Sequence, residues 1–220
     1  KYIFVDNSVM ISNNEQPNIP TFEQIKAIMQ THTVGIAGAG GLGSNVAMAL
    51  TRVGIGKLII ADFDVVSESN LNRQFYFNDQ LNQKKVEALK ENLLRINPNL
   101  IIEIHDLMLN SNNLLSTFTN VDVMVEAFDK AEMKEMIIET FQTSKPNIPL
   151  VVGNGMAGWG KSNEMRVQQY GNLYICGDNV AEVGPEMPPM APRVLICAAM
   201  QANTVMSILL DNHFENEHNS

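Results

Sequence analysis

The chain is 220 residues long, 45% apolar and 18% charged, which suits one globular domain and excludes a disordered polypeptide. A net charge of −9 and a pI of about 4.9, with no run of Lys and Arg, speak against a nucleic-acid partner. No uninterrupted apolar stretch reaches the roughly 18 residues of a membrane-crossing helix, and no basic-then-apolar leader opens the chain, so a cytoplasmic protein without a membrane partner is expected.

Residues 1–30 read as an arm too short to fold alone: "KYIFVDNSVMI" as one strand, polar "SNNEQPNIP", then a short helix "TFEQIKAIM" capped by Thr21. From Thr33 the pattern becomes regular. "TVGIA" is a buried strand, turned by glycines into a helix "GSNVAMALTRV" that stops at Gly54, and "KLIIADFD" is a second strand. "KKVEALKENLLRI" places Val86, Leu89, Leu93 and Ile96 on one helical face and ends before Asn97-Pro98. "LIIEIHD" and "VDVMVEAF" follow as strands, "AEMKEMIIETFQ" as a helix and "PLVVGNGM" as a fifth strand.

Strands alternating with helices predict an α/β fold, a doubly wound, mainly parallel Rossmann-like sheet with right-handed crossovers. After Gly153 "EMRVQQY" and "NLYICG" read as a hairpin around Gly171-Asn172 that extends the sheet with antiparallel strands. The Gly/Pro-rich loop "GDNVAEVGPEMPPMAP" then leads to a last helix from Pro192 to about Leu210, with 211–220 a disordered tail. One domain over 31–210 follows.

In such sheets the ligand lies beyond the carboxyl ends of the strands, where strand order reverses. The glycine loop, with Gly38, Gly40 and Gly43 at G-x-G-x-x-G spacing and an additional Gly41, lets a phosphate approach backbone N–H groups at a helix N-terminus. Asp62, 19 residues beyond Gly43, is placed to accept the hydroxyls of an adenosine ribose. Both features fit NAD and ATP equally well.

The tie is broken by "VVSESNLNRQFYF", where Asn70, Arg73 and Gln74 stand within five residues. Nucleotidyl transfer needs cations along the triphosphate, whereas hydride transfer needs an open nicotinamide face. Lys85 can join that cluster, or be a solvated lysine beside Lys84. Asp129, just past the fourth strand, can ligate Mg²⁺ opposite bound phosphates or cap the helix that follows.

With "GxGGLGS", "DFDxVxxSNLNRQ", the lysine 12 residues after Arg73, "LLRINP" and a strand ending in "FD", the chain resembles the ThiF/MoeB/HesA superfamily from about Thr33 to Leu210. "NLYICGD" and "MAPRV…MQAN" are most similar to its compact ThiF branch. The resemblance implies adenylation of the C-terminal glycine of a ubiquitin-like sulfur carrier protein ending in Gly-Gly, in thiamine biosynthesis, by a homodimer. It further implies that Gly38, Gly40 and Gly41 line the nucleotide loop and that Asp62 holds the ribose. Asn70, Arg73 and Lys85 would then contact the triphosphate of ATP, supported by Gln74, with Asp129 holding Mg²⁺. The same chemistry on another carrier or carboxylate, or a non-catalytic module that binds a ubiquitin-like protein, are the alternatives.

Three departures from that family stand out. Many relatives hold zinc with two C-x-x-C pairs, but this chain has two cysteines in all, Cys176 and Cys197, so no zinc is expected. Cys197 reads as a buried core thiol and Cys176 is open to a chemical role, although residues 177–192 contain no cysteine to accept an activated carrier. Family members often send an N-terminal arginine into the partner's site; the first arginine here is Arg52, and Arg193 is the substitute that the sequence offers.

Overall fold

The computed structural model describes residues 20–218, and the strand expected within 1–19 lies outside them. Six helices are found among these residues: α1 Phe22–Met29, α2 Gly41–Arg52, α3 Lys85–Ile96, a single turn α4 Leu114–Thr117, α5 Ala131–Ser144 and α6 Ala191–His218. Seven strands, β1 Thr33–Ala37, β2 Lys57–Ala61, β3 Ile101–His105, β4 Val123–Glu126, β5 Leu150–Gly153, β6 Arg166–Tyr170 and β7 Leu173–Gly177, form one sheet in the order β3-β2-β1-β4-β5-β7-β6.

The sheet is parallel from β3 through β7, and its order reverses between β1 and β4. Of the two hairpin strands only β6 is antiparallel; β7 joins β5 in parallel, so the antiparallel extension is a single edge strand. The buried strands show why the faces divide as they do, because successive side chains point to opposite sides. Val34, Ile36, Leu58, Ile60, Val123, Val125 and Val151 meet α2, α3 and α6, while Ile59, Met124, Leu150 and Val152 meet α4 and α5 through Leu114, Ile137 and Phe141.

The lead-in helix α1 is part of this core rather than an appendage. Thr21 and Gln24 form a reciprocal capping box at its start, and Met29 at its end is fully buried. The expected tail is also corrected: α6 runs on through His218, because no Gly or Pro follows Pro192 to stop it. An 18-residue stretch within Ala191–Phe214 has a mean hydropathy of 1.6, so this helix is long and apolar enough to cross a membrane by length and composition. Half of that stretch is buried within the fold, where Val194, Ala198, Val205 and Leu209 join the core packed against α2.

Candidate functional site

The glycine loop joins β1 to α2 at the switch point of the sheet. Gly38 has φ +99°, and a Cβ there would stand 2.9 Å from the Ala127 carbonyl oxygen. A Cβ on Gly43 would meet the Gly38 carbonyl oxygen at 1.9 Å, so both positions require glycine. Gly41 lies in the first turn of α2, where a Cβ would be 3.1 Å from Val194 Cγ1 and 3.6 Å from Arg73 Cγ; the additional glycine admits α6 and the Arg73 stem. Gly40 is the cap residue of α2, and no side chain caps that end. Backbone N–H groups are thus left for an anion.

Asp62 faces this loop. Its Oδ2 accepts the Ala39 N–H at 2.6 Å and its Oδ1 accepts the Asp64 N–H at 2.8 Å, fixing the carboxylate beside the loop backbone. Tyr76 braces the other side: its buried hydroxyl donates to the Ala39 carbonyl at 2.7 Å. Burial, with Asp62 and Asp64 nearby, pushes the phenol well above its ordinary value, so it stays a donor.

The segment after β2 folds back over α2. Asn45 Nδ2 donates to the carbonyls of both Gly41 (2.7 Å) and Arg73 (2.9 Å), and Ser44 Oγ accepts the Phe75 N–H at 3.0 Å. Arg73 and Gln74 are thereby fastened to the helix that carries the glycine loop. Arg73 Nη1 donates to Ser69 O (3.0 Å) and Asn72 Oδ1 (2.8 Å), while Asn70 Oδ1 accepts the Ser67 N–H. Gln74 is buried with its Oε1 unbonded, and its Nε2 is the nearest group, at 3.9 Å, to a Cβ placed on Gly40.

Lys85 is not the solvated lysine that its neighbour Lys84 suggested. It opens α3 with a side chain only 7% exposed, and its Nζ donates to Asp64 Oδ2 at 2.7 Å. Asp64 is a site residue that sequence reasoning missed; the second carboxylate of "DFD" was its only signal.

Asp129 lies exposed between β4 and α5 and makes no hydrogen bond or ion pair with the described residues. It is not a helix cap: α5 begins at Ala131, its cap position is Lys130, and no side chain caps it. Just before it, Glu126 is fully buried. Lys134 Nζ lies 2.9 Å from each Glu126 carboxylate oxygen and 2.8 Å from the Gly153 carbonyl. Burial raises the Glu126 carboxyl above its ordinary range, while the facing Lys134 ammonium and the Phe128 N–H oppose that rise. This pair was also missed, because a strand-end Glu and a helical Lys look ordinary in sequence. A groove of about 600 Å³ opens beside it, lined in part by Lys134, Ile138, Asn154 and Ile175.

Arg193 is not a substitute for an incoming arginine. Its side chain is 2% exposed and bonded to Asp178 and to the Gly160 carbonyl. Neither cysteine offers an active thiol. Both are fully buried, and burial pushes Cys176 up to about 11 and Cys197 up to about 12, so both stay protonated at neutral pH. Among the described residues no group of three or more His, Cys, Asp and Glu could hold a metal ion.

The fold is shared with solved structures. It superposes on E. coli tRNA N6-threonylcarbamoyladenosine dehydratase TcdA in complex with ATP with a TM-score of 0.80 at 19% identity, covering 88% of this chain and 91% of that one. E. coli MccB with ATP gives a TM-score of 0.65 at 23% identity, covering 84% and 58% of the two chains. In sequence, 136 residues are 38% identical to Ubiquitin-like modifier-activating enzyme 5 of Caenorhabditis briggsae, covering 62% of this chain and 29% of that protein. A longer match of 205 residues, 25% identical, to adenylyltransferase and sulfurtransferase UBA4 of Scheffersomyces stipitis covers 90% and 44%. The chain therefore spans less than half the length of either of these curated relatives. The ThiF family model matches residues 14–220, and the chain belongs to the ThiF family.

Proposed function

We propose that the protein uses ATP to adenylate the C-terminal glycine of a ubiquitin-like sulfur carrier protein. The observation that carries this reading is the fastening of the Arg73–Phe75 backbone to α2 through Asn45 and Ser44, which keeps Arg73 and Gln74 beside the glycine loop, with Lys85 held by Asp64. A redox site has no use for that set. The ATP complexes of TcdA and MccB, which share the fold, and the naming of UBA4 as an adenylyltransferase support the same reading.

In this reading the loop N–H groups and Arg73 hold the phosphates, Asp62 takes the ribose hydroxyls, and the unbonded Gln74 Oε1 accepts from the nucleotide. A carboxylate oxygen of the carrier's terminal glycine attacks the α-phosphorus. The bond from that phosphorus to the bridging oxygen of pyrophosphate breaks, giving a glycyl-adenylate and free pyrophosphate. The nucleophile is already an anion at neutral pH, so no general base is required; catalysis is positioning and charge neutralisation. Asp129, exposed and without a partner among the described residues, suits Mg²⁺, which binds through one or two carboxylates with water and phosphate completing its shell. When bound, Mg²⁺ supplies neutralisation of the phosphate charge.

We assign the carrier to thiamine synthesis on the resemblance of residues 172–178 and 190–203 to the compact ThiF branch, and the active form to a cytoplasmic homodimer. The test is ATP–pyrophosphate exchange with candidate carriers ending in Gly-Gly, thiamine, molybdopterin and tRNA-thiolation carriers compared side by side. Arg73→Ala and Asp129→Ala should each slow exchange by roughly 10²–10³-fold, the scale for losing one preorganised electrostatic group. Full exchange in both variants would refute the assignment of the site. Carrier binding without exchange would favour a non-catalytic module.

A further inference from the structure

The proposed nucleotide contacts leave the ion pair of Glu126 and Lys134 unused. Burying two charges is expensive, and an apolar pair of similar volume would serve a merely structural core as well or better. The geometry supplies another reason for it. Glu126 Oε1 accepts the Phe128 N–H at 2.6 Å, two residues along the chain, so the carboxylate shapes the turn that leaves β4. Lys134 grips both oxygens of that carboxylate and the Gly153 carbonyl, joining the turn to α5 and to the end of β5.

The same turn is held from two further directions. Gln201 Nε2 in α6 donates to the Glu126 carbonyl at 2.9 Å, and the Ala127 N–H donates to the Ala37 carbonyl at 2.9 Å. The Ala127 carbonyl walls the glycine loop at Gly38. Asp129 follows directly and has no anchor of its own among the described residues. From this we infer that Glu126 and Lys134 are positioning residues: their buried ion pair sets the 127–129 turn and so aims the Asp129 carboxylate at the metal–nucleotide complex.

This inference rests on the proposed role of Asp129, and the test separates the two. Mn²⁺ binding, as a spectroscopic stand-in for Mg²⁺, is followed by electron paramagnetic resonance in the presence of a non-hydrolysable ATP analogue. Melting temperature and metal-free nucleotide affinity are measured alongside. Lys134→Met should weaken Mn²⁺ about 10–100-fold, the scale for losing the support of a metal ligand, and leave metal-free nucleotide affinity within about twofold. Lys134→Arg should restore most of the loss. If Lys134→Met does not fold, the neutral double variant Glu126→Gln/Lys134→Met takes its place; it keeps an acceptor for Phe128 but loses the grip on α5 and Gly153, and the same weakening is expected.

Unchanged Mn²⁺ affinity in these variants, with Asp129→Asn weakening it, would overturn the positioning role and leave the function standing. Unchanged affinity in Asp129→Asn as well would overturn both.

Discussion

Arg193 Nη2, in the first turn of α6, lies 2.5 Å from Asp178 Oδ2, directly after β7, so one buried ion pair closes the loop of residues 179–190 at its two ends. Asp178 Oδ1 accepts the N–H groups of Val180 and Ala181, and Arg193 Nη1 donates to the Gly160 carbonyl. Arg193→Met leaves the Asp178 carboxylate buried without its cation and should cost about 3–5 kcal/mol. Asp178→Asn/Arg193→Met should recover part of that loss. Chemical denaturation of the wild type and the variants checks both; a cost of Arg193→Met under about 1 kcal/mol, the scale of an exposed pair, would contradict the buried one.

The same pair sets a pH dependence. Burial pushes the Asp178 carboxyl up, but the Ala181 and Val180 N–H groups and Arg193 outweigh burial and hold it below the usual carboxylate range. A folded pKa below the unfolded one, about 3.9, means stability that is present above that pH and lost as pH falls through the folded value. Below about pH 4 the wild type should therefore lose stability more steeply than Asp178→Asn. Parallel slopes of unfolding free energy against pH in acid would count against the assignment.

Sequence gave good purchase on whatever is repeated or local. The alternation of buried strands and amphipathic helices fixed the parallel sheet, and the spacing of Gly38, Gly40 and Gly43 fixed the loop at its switch point. Contacts between distant segments left no such trace. Sequence left Lys85 between the phosphate cluster and solvent, whereas Asp64 holds it; Arg193 was offered as a substitute for an incoming arginine, whereas Asp178 and Gly160 enclose it. The end of α6 was misjudged because a polar composition was read as disorder, whereas a helix already anchored by its buried residues continues until something stops it. Asp129 could be a Mg²⁺ ligand or a cap from residue type alone; one residue of displacement in the helix start removes the capping role.

The thiols give a third test. Cys176 is enclosed beside Thr204, and Cys197 Sγ lies 3.2 Å from the Cys176 carbonyl. Burial raises both, to about 11 and about 12, above the roughly 8.5 of a free thiol. Here the folded pKa lies above the unfolded one, so their contribution is full below about pH 8.5 and is lost as pH rises toward 11 and 12. Cys176→Ser/Cys197→Ala should flatten the alkaline loss of stability. In the wild type at pH 8, a disulfide reagent should label neither thiol until the protein is unfolded. Rapid labelling of the native protein would show that the thiols are open to solvent after all.

Two glycines of the loop should respond differently to one added methyl group. At Gly43 the new Cβ meets the backbone oxygen of Gly38 at 1.9 Å, an atom that cannot turn away, so the loop or the start of α2 must move. Gly43→Ala should cost at least the roughly 1–3 kcal/mol of an overpacked core and abolish stabilisation by Mg-ATP. At Gly41 the nearest atom is a side-chain methyl, Val194 Cγ1 at 3.1 Å, which can give by a few tenths of an ångström. Alanine also gains about 0.5–1 kcal/mol over glycine inside a helix, so Gly41→Ala should stay within about 1 kcal/mol of the wild type and keep its fold. Thermal shifts with Mg-ATP and with NAD complete the comparison. At a hundredfold excess over Kd, Mg-ATP should stabilise the wild type by about 2.7 kcal/mol, and NAD should not. Stabilisation by NAD alone, or equal damage from both alanines, would refute this account of the loop.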